Sequence, residues 1–233
     1  MVSATLHYFY DPLCGWCYAA SPLIQAAAAL PSLTVQLHGG GMMSGANRQA
    51  VTAALRDYVM PHDERIAKLT GQVFGTAYFD GLLRDGSAVF DSTPPTAAIL
   101  AAQQLGLSGL GMLSALQRAH YQQGRKIAES DVLVQIATEQ GLAAAVFATE
   151  LEQQLARVDR HTAESRRRMQ QAGLRGFPAL LLERNGQLER VEVSPWLGQP
   201  QAFAAALSGE LGQQSDEALP LCTPESCGPA AQG

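Results

Sequence analysis

Two cysteines near the start of the chain have a spacing that suits chemistry. Cys14 and Cys17 flank a Gly-Trp pair in the stretch DPLCGWCYAASP. A C-x-x-C pair can exchange electrons as a dithiol, or it can supply half of a four-thiolate zinc site. Cys222 and Cys227 could supply the other half, but their spacing of four intervening residues in a Pro/Gly-rich tail is loose for zinc. We therefore favour redox chemistry and predict no bound metal.

The residues around the pair predict where the fold places it. Residues 4–10, ATLHYFY, are rich in aromatic and β-branched types and run into an Asp-Pro turn, so we expect a buried strand just before Cys14. Residues 15–30 are Ala-rich with apolar side chains at helical spacing, and Pro31 ends the pattern. Cys14 is therefore predicted at the first turn of a helix, where unpaired N–H groups and the helix dipole stabilise a thiolate.

This setting gives the two thiols separate roles. Cys14, nearer the positive end of the helix dipole, is the predicted nucleophile. Cys17 lies within one turn and is the predicted resolving thiol, which attacks a mixed disulfide at Cys14. Trp16, between them, offers an aromatic surface for substrate or for packing against a second domain.

The rest of the chain predicts an α/β architecture. A second strand alternates apolar and polar residues, a long stretch of helical periodicity follows, and an Asn-Gly turn then joins two more strands ahead of a final helix. The order is β-α-β, then a large all-helical insertion between the second and third strands, then β-β-α. The predicted parts are a discontinuous α/β domain at residues 1–45 and 174–210, a helical insertion at 46–173, and a flexible C-terminal tail at 211–233.

Composition excludes several classes of function. The 233-residue chain has 16 Lys and Arg against 21 Asp and Glu, a formal net charge of −5, which argues against a nucleic-acid surface. The one basic run, residues 166–168, is interpreted as a solvated helix face. No secretory leader and no run of 18 apolar residues is recognisable, so we expect a cytoplasmic protein without a membrane span.

Further residues could support the predicted site. Asp11 is interpreted as a helix cap, with a role as proton acceptor for Cys17 as the alternative. In the stretch Gly176-Phe177-Pro178 a proline opens a strand after a turn, which taken alone is often only an edge feature. Arg175 could raise the positive potential near Cys14 or simply face solvent.

Together, YDPLCGWCYAASP, the GFPALLL stretch and the long helical block resemble the thioredoxin-fold DsbA family, and within it the cytoplasmic FrnE-like branch. The resemblance covers roughly residues 4–208 and implies that the discontinuous α/β domain is a thioredoxin fold with the helical block inserted between its second and third strands. It implies that Cys14 attacks, that Cys17 resolves, and that Pro178 is a cis-proline packed against the disulfide. Phe177 would then present its backbone to an extended substrate peptide.

The tail pair Cys222 and Cys227 resembles an accessory C-x-x-x-x-C of some FrnE-like proteins. It is either an internal exchange partner for Cys14 or a tail disulfide without catalytic consequence.

The resulting prediction is a thiol-disulfide oxidoreductase or isomerase that acts on unfolded or disulfide-bearing proteins through a groove with Trp16 and Phe177. It needs no cofactor, because the thiols carry the electrons, and a small thiol such as glutathione or a thioredoxin-type protein is its redox partner. Two alternatives stay open. One is a glutathione-dependent enzyme like the kappa-class transferases and 2-hydroxychromene-2-carboxylate isomerases, which carry serine at the position of Cys14. The other is a non-catalytic peptide-binding chaperone.

Overall fold

A four-stranded mixed sheet forms the centre of the thioredoxin-like part. The computed structural model describes the backbone of residues 4–217 and the side chains of residues 4–209. The strand order is β2-β1-β5-β6, with β1 and β2 parallel and the other neighbours antiparallel. The strands are β1 (Ala4–Tyr10), β2 (Leu33–Gly39), β5 (Ala179–Arg184) and β6 (Gln187–Val191). This arrangement confirms the predicted thioredoxin fold.

Alternation along β1 builds a core on each face of the sheet. Tyr8, fully buried, belongs with Leu6 to the main apolar core, which includes residues of helix α1 (Gly15–Ala28). Phe9, the next residue along the strand, belongs instead to a smaller cluster with Met169 and Leu181. Successive strand side chains point to opposite faces, so one strand is buried on both sides.

The insertion between β2 and β5 holds six α-helices, as the helical periodicity predicts. It also contains two two-residue strands and one π-helical turn at Ala77–Gly81, so it is not entirely helical. Strands this short leave no alternating pattern to detect. The elements are β3 (Gln49–Ala50), α2 (Ala53–Thr70), β4 (Val89–Phe90), α3 (Thr93–Gln104), α4 (Gly109–Tyr121), α5 (Ser130–Glu139), α6 (Ala144–Leu155) and α7 (Val158–Gln171).

The last helix is longer than the sequence indicated. Helix α8 spans Pro200–Glu217 and packs against α1, so residues 211–217 are helical although they were predicted as part of the tail. Those residues are polar but contain no proline that would break a helix. Cys222 and Cys227 lie outside the described residues. None of the helices described is both long and apolar enough to cross a membrane.

Candidate active site

Cys14 occupies the position at which β1 gives way to α1. It is the N-cap of α1, with extended backbone angles of φ −90° and ψ 114°, and the N–H groups of Cys17 and Tyr18 bond to its carbonyl oxygen. The thiol therefore lies at the positive end of the helix dipole, where an anion is stabilised. Cys14 and Cys17 are both free thiols.

The two thiols differ in access to solvent. Cys14 is 6% exposed, whereas Cys17 is fully buried. Burial raises the pKa of the Cys17 thiol well above its usual range, the hydrogen bond and charge of Cys14 raise it further, and a backbone hydrogen bond with Asp11 acts in the opposite direction. Only Cys14 can meet a substrate sulfur first, so the geometry fits the predicted division of roles.

Phe177 and Pro178 come from the far end of the chain to lie beside Cys14. The peptide bond between them is cis, and the Phe177 carbonyl oxygen accepts a hydrogen bond from the Cys14 thiol at 3.6 Å. The Phe177 ring packs on Gly40, where an added Cβ would lie 2.0 Å from the ring, so no larger residue fits there. Phe177 is therefore held between the reactive thiol and the loop after β2.

A small cavity brings together the three residues predicted to bind substrate. Its volume is about 170 Å³, and Trp16, Phe177 and Pro178 line it together with Ser194 and Leu197. All the lining residues except Ser194 have apolar side chains. The cavity offers a place for a side chain next to an exchanging disulfide.

Asp11 is not the helix cap that the sequence indicated, because Cys14 occupies the cap position without any side-chain capping bond. Its Oδ1 accepts hydrogen bonds from the Leu13 N–H at 2.9 Å and the Ser92 hydroxyl at 2.8 Å, and its Oδ2 accepts one from the Met42 N–H at 2.5 Å. The hydrogen bond to the Leu13 N–H closes a tight turn, and this turn directs the carboxylate away from the N–H groups of the helix. Asp11 thus joins β1, the loop after β2 and the start of α3.

Burial raises the pKa of the Asp11 carboxyl, while its three hydrogen bonds and the Arg166 charge oppose that rise.

The loop at residues 40–43 has a second support that the sequence did not indicate. Arg166 of α7 donates hydrogen bonds from Nε to the Gly40 carbonyl at 2.8 Å and from Nη2 to the Gly41 carbonyl at 2.5 Å. Arg167 and Arg168 pair with Glu164 at the surface, as a solvated helix face predicts. Arg166 departs from that prediction, and no sequence signal marks it because its partners are backbone carbonyls.

Arg175 is exposed and lines a second cavity, to which Phe177 also contributes. This cavity has a volume of about 630 Å³ and is also lined by Arg166, Met169 and Leu174. Arg175 is therefore near the site without belonging to the motif itself.

Asp63 is a buried carboxyl beside the motif that sequence reasoning missed. It lies on α2, is 4% exposed, and accepts a hydrogen bond from the Tyr78 hydroxyl at 2.8 Å. Its Oδ1 would lie 2.5 Å from a Cβ added at Gly15, which places it against the first residue of α1. Burial raises the pKa of Asp63 to about 7, although the Tyr78 hydrogen bond lowers it. Glu64 and Arg65, which follow it in the sequence, are exposed charged residues, so the local sequence does not indicate that Asp63 is buried.

Metal ligands do not gather around the thiols in the part of the chain whose side chains are described. Residues 4–209 contain no group of three or more His, Cys, Asp or Glu side chains that could hold an ion. The second cysteine pair, on which the zinc alternative depended, lies outside that range.

Comparisons with known proteins identify the family to which the chain belongs. The family model of the DSBA-like thioredoxin domain matches residues 5–205. No curated protein matches the chain. Among solved structures, the cytosolic disulfide reductase DsbM from Pseudomonas aeruginosa is 54% identical, with a TM-score of 0.84, over 89% of this chain and 98% of that one.

Two further structures bear on the alternatives. DsbM from Pseudomonas aeruginosa with GSH aligns at 52% identity and a TM-score of 0.83, over 89% of this chain and 98% of that one. A 2-hydroxychromene-2-carboxylate isomerase is 14% identical, with a TM-score of 0.57, over 91% of this chain and 98% of that one, and shares the fold alone. The FrnE-like branch stays a prediction. The chain belongs to the DsbA-like thioredoxin domain family of disulfide oxidoreductases.

Proposed function

We propose that this protein is a disulfide reductase that uses Cys14 and Cys17 as its redox couple and glutathione as its electron donor. The observation that carries the proposal is the unequal placement of the two thiols. Cys14, at the start of α1 and in contact with the Phe177 carbonyl, keeps 6% of its surface exposed, whereas Cys17 has none. The similarity to DsbM, a cytosolic disulfide reductase with a glutathione-bound structure, supports both the direction of electron flow and a cytoplasmic location.

In the first step, the Cys14 thiolate attacks one sulfur of a substrate disulfide. The substrate S–S bond breaks, a Cys14–substrate disulfide forms, and the other substrate sulfur leaves as a thiolate. The attacking sulfur belongs to the N-cap residue of α1. Cys17 stays protonated at this stage because its burial disfavours the charged form.

In the second step, Cys17 gives up its proton and attacks the Cys14 sulfur. The Cys14–Cys17 disulfide forms, and the departing substrate thiolate takes up the Cys17 proton. The thiolate released in the first step takes up a proton from solvent, which had received the Cys14 proton, so the substrate gains two electrons and two protons in all. Two glutathione thiols then reduce the enzyme disulfide in the reverse sequence and leave as glutathione disulfide. No cofactor is needed, because the sulfurs carry both electrons.

Substrate would dock beside the cis peptide bond. The backbone of Phe177 could pair with an extended segment around a substrate disulfide, and the cavity lined by Trp16 and Pro178 could take a neighbouring side chain. Unfolded or disulfide-bearing proteins fit this shallow surface. Isomerisation would share the first step, with a substrate thiol in place of Cys17 resolving the mixed disulfide.

The experiment measures reduction of insulin by glutathione with the purified protein. We expect Cys14→Ser to abolish the catalysed reduction, and we expect Cys17→Ser to accumulate a glutathione adduct on Cys14 that mass spectrometry detects. A Cys222→Ser/Cys227→Ser variant leaves the motif intact and separates any contribution of the tail pair.

Two results would count against the proposal. An adduct found on Cys17 in place of Cys14 would reverse the assigned roles. Full activity in Cys14→Ser would favour the glutathione-transferase or isomerase alternative, in which a hydroxyl stands at this position.

A further inference from the structure

The larger of the two cavities that Phe177 lines has an unusual charge for a chain with a net charge of −5. Two arginines, Arg166 and Arg175, line it, and no acidic side chain does so among the described residues. Its remaining lining is neutral, from the apolar Met169 and Leu174 to small and amide-bearing residues. The cavity is therefore a cationic recess next to the residue whose carbonyl contacts the reactive thiol.

The two arginines are not equally available to a ligand. Arg166 uses Nε and Nη2 to hold the Gly40 and Gly41 carbonyls, and its charge also faces the buried Asp11. Arg175 is exposed, and no ion pair or hydrogen bond holds its side chain within the described part of the chain. Its guanidinium is therefore the cation in this recess that remains free to pair with an incoming anion.

The distances suit a small anionic substrate. The Cys14 sulfur lies 3.6 Å from the Phe177 carbonyl oxygen, and Arg175 is two residues from Phe177, at most about 7 Å along the backbone. Glutathione is a tripeptide of about 10 Å when extended, and it carries a carboxylate at each end. Such a molecule, bonded through its central sulfur at Cys14, can extend one end across Phe177 into the recess.

We propose that this recess binds a carboxylate of glutathione during exchange at Cys14, and that Arg175 is the substrate-binding residue that selects glutathione over neutral disulfides. The inference rests on the proposed function and adds its substrate specificity. Guanidinium groups pair with carboxylates through charge-assisted and often bidentate hydrogen bonds. Arg166 serves mainly to hold the loop after β2, against which the Phe177 ring packs.

The test compares two small disulfides with the same reacting bond. Glutathione disulfide carries carboxylates, whereas bis(2-hydroxyethyl) disulfide is neutral. Each disulfide is mixed with protein whose Cys14 and Cys17 were reduced by dithiothreitol beforehand and then freed of it, so that the dithiol is the sole electron donor in a single turnover. We expect Arg175→Gln to lower the second-order rate constant for glutathione disulfide about fivefold, as loss of one partly exposed charge pair implies, and to leave that for the neutral disulfide unchanged. Arg175→Lys should restore part of the loss, and added salt should slow the wild type more than Arg175→Gln.

Arg160→Gln is the matched control, since Arg160 is an exposed arginine of α7 that does not line the recess. It should leave both rates unchanged. An equal fall with both disulfides in Arg175→Gln, or no fall with either, would overturn the inference. A fall seen only with a peptide disulfide flanked by glutamates would overturn the assignment to glutathione in favour of an acidic protein segment.

Different results would contradict the proposed function and the specificity assigned to Arg175. If the wild type reduces neither disulfide through Cys14, the proposed function itself is wrong. If the wild type reduces both and the ratio of their rates is the same in Arg175→Gln, only the specificity assigned to Arg175 is wrong.

Discussion

The CGWC motif lies between two buried carboxyl groups, one from each part of the fold. On the thioredoxin-like side, Asp11 accepts hydrogen bonds from Leu13, Met42 and Ser92. On the insertion side, Asp63 accepts one from Tyr78. Burial raises the pKa of both groups, but three donors oppose the rise at Asp11, whereas one donor at Asp63 leaves its pKa at about 7.

The difference shows that burial alone does not decide what a carboxyl group does beside an active site. Asp11 ties together three segments, and its oxygens are largely occupied by those bonds. Asp63 has spare hydrogen-bonding capacity and sits where a small change in pH alters its charge. The Asp11 carboxyl group therefore has a structural role. The Asp63 carboxyl group, next to Gly15, can change its charge near neutral pH.

The largest expected effect on stability comes from removing the Asp11 carboxylate. In Asp11→Ala, the N–H groups of Leu13 and Met42 and the Ser92 hydroxyl lose their acceptor inside the protein, at about 1–3 kcal/mol each and less than additively. We expect a loss of roughly 3–5 kcal/mol in the free energy of unfolding, measured by urea denaturation.

The control for this prediction is Asp57→Ala, which removes an aspartate of α2 whose side chain is 66% exposed. It should change stability by less than about 0.5 kcal/mol. If Asp11→Ala were as mild as this control, the three hydrogen bonds could not be what holds the loop after β2.

How far the sequence predicts the site depends on whether a residue acts through its neighbours in the chain. Cys14 and Cys17 can be predicted as a site because the strand, turn and helix around them are all encoded in the adjacent sequence. The place of Pro178 beside Cys14 came only with the family resemblance, and its cis bond agrees with that implication. The contact itself depends on strand pairing between β1 and β5.

Asp11, Arg166 and Asp63 show where the sequence stops being informative. Asp11 was identified, but the favoured prediction of a helix cap was wrong, because Met42 and Ser92 reach it from distant parts of the chain. Arg166 bonds to carbonyl oxygens that every residue carries. Asp63 lies on a helix with an ordinary polar sequence, and only the packing of α2 against α1 buries it. Such partners follow from tertiary structure and leave no local pattern.

The second prediction concerns the charge of Asp63. Its pKa is about 7 in the folded protein against about 3.9 in an unfolded chain, so the folded state binds the proton more tightly. Its contribution to stability is therefore full below about pH 4 and is lost as the pH rises toward 7. Asp63→Asn cannot ionise, so we expect it to raise the free energy of unfolding by roughly 2–4 kcal/mol at pH 8.

At pH 4 the same substitution should change stability by less than about 1 kcal/mol, because the carboxyl group is already neutral there. Urea denaturation at the two pH values measures the difference, and Asp57→Asn supplies the exposed control. A gain of equal size at both pH values would show that the effect comes from packing and not from the charge.

The third and smallest effect tests the contact between Asp63 and the motif itself. A methyl group at Gly15 would lie 2.5 Å from the Asp63 Oδ1 and 3.1 Å from the Ile66 Cδ1, so one of these side chains must move. Replacing a helical glycine by alanine otherwise stabilises by about 0.5–1 kcal/mol. We therefore expect Gly15→Ala to cost about 1–2 kcal/mol in the wild type, where the clash outweighs the helix propensity.

In an Asp63→Ala background the main obstacle is absent, so the same Gly15→Ala substitution should become neutral or stabilising by up to about 1 kcal/mol. The double-mutant cycle isolates the coupling, because the loss of the Tyr78 hydrogen bond is common to both Asp63→Ala forms and cancels. A coupling energy near zero would mean that the Asp63 side chain of α2 is not in close contact with Gly15 at the start of α1. The insertion would then have no direct contact through which Asp63 could act on the reactive thiol.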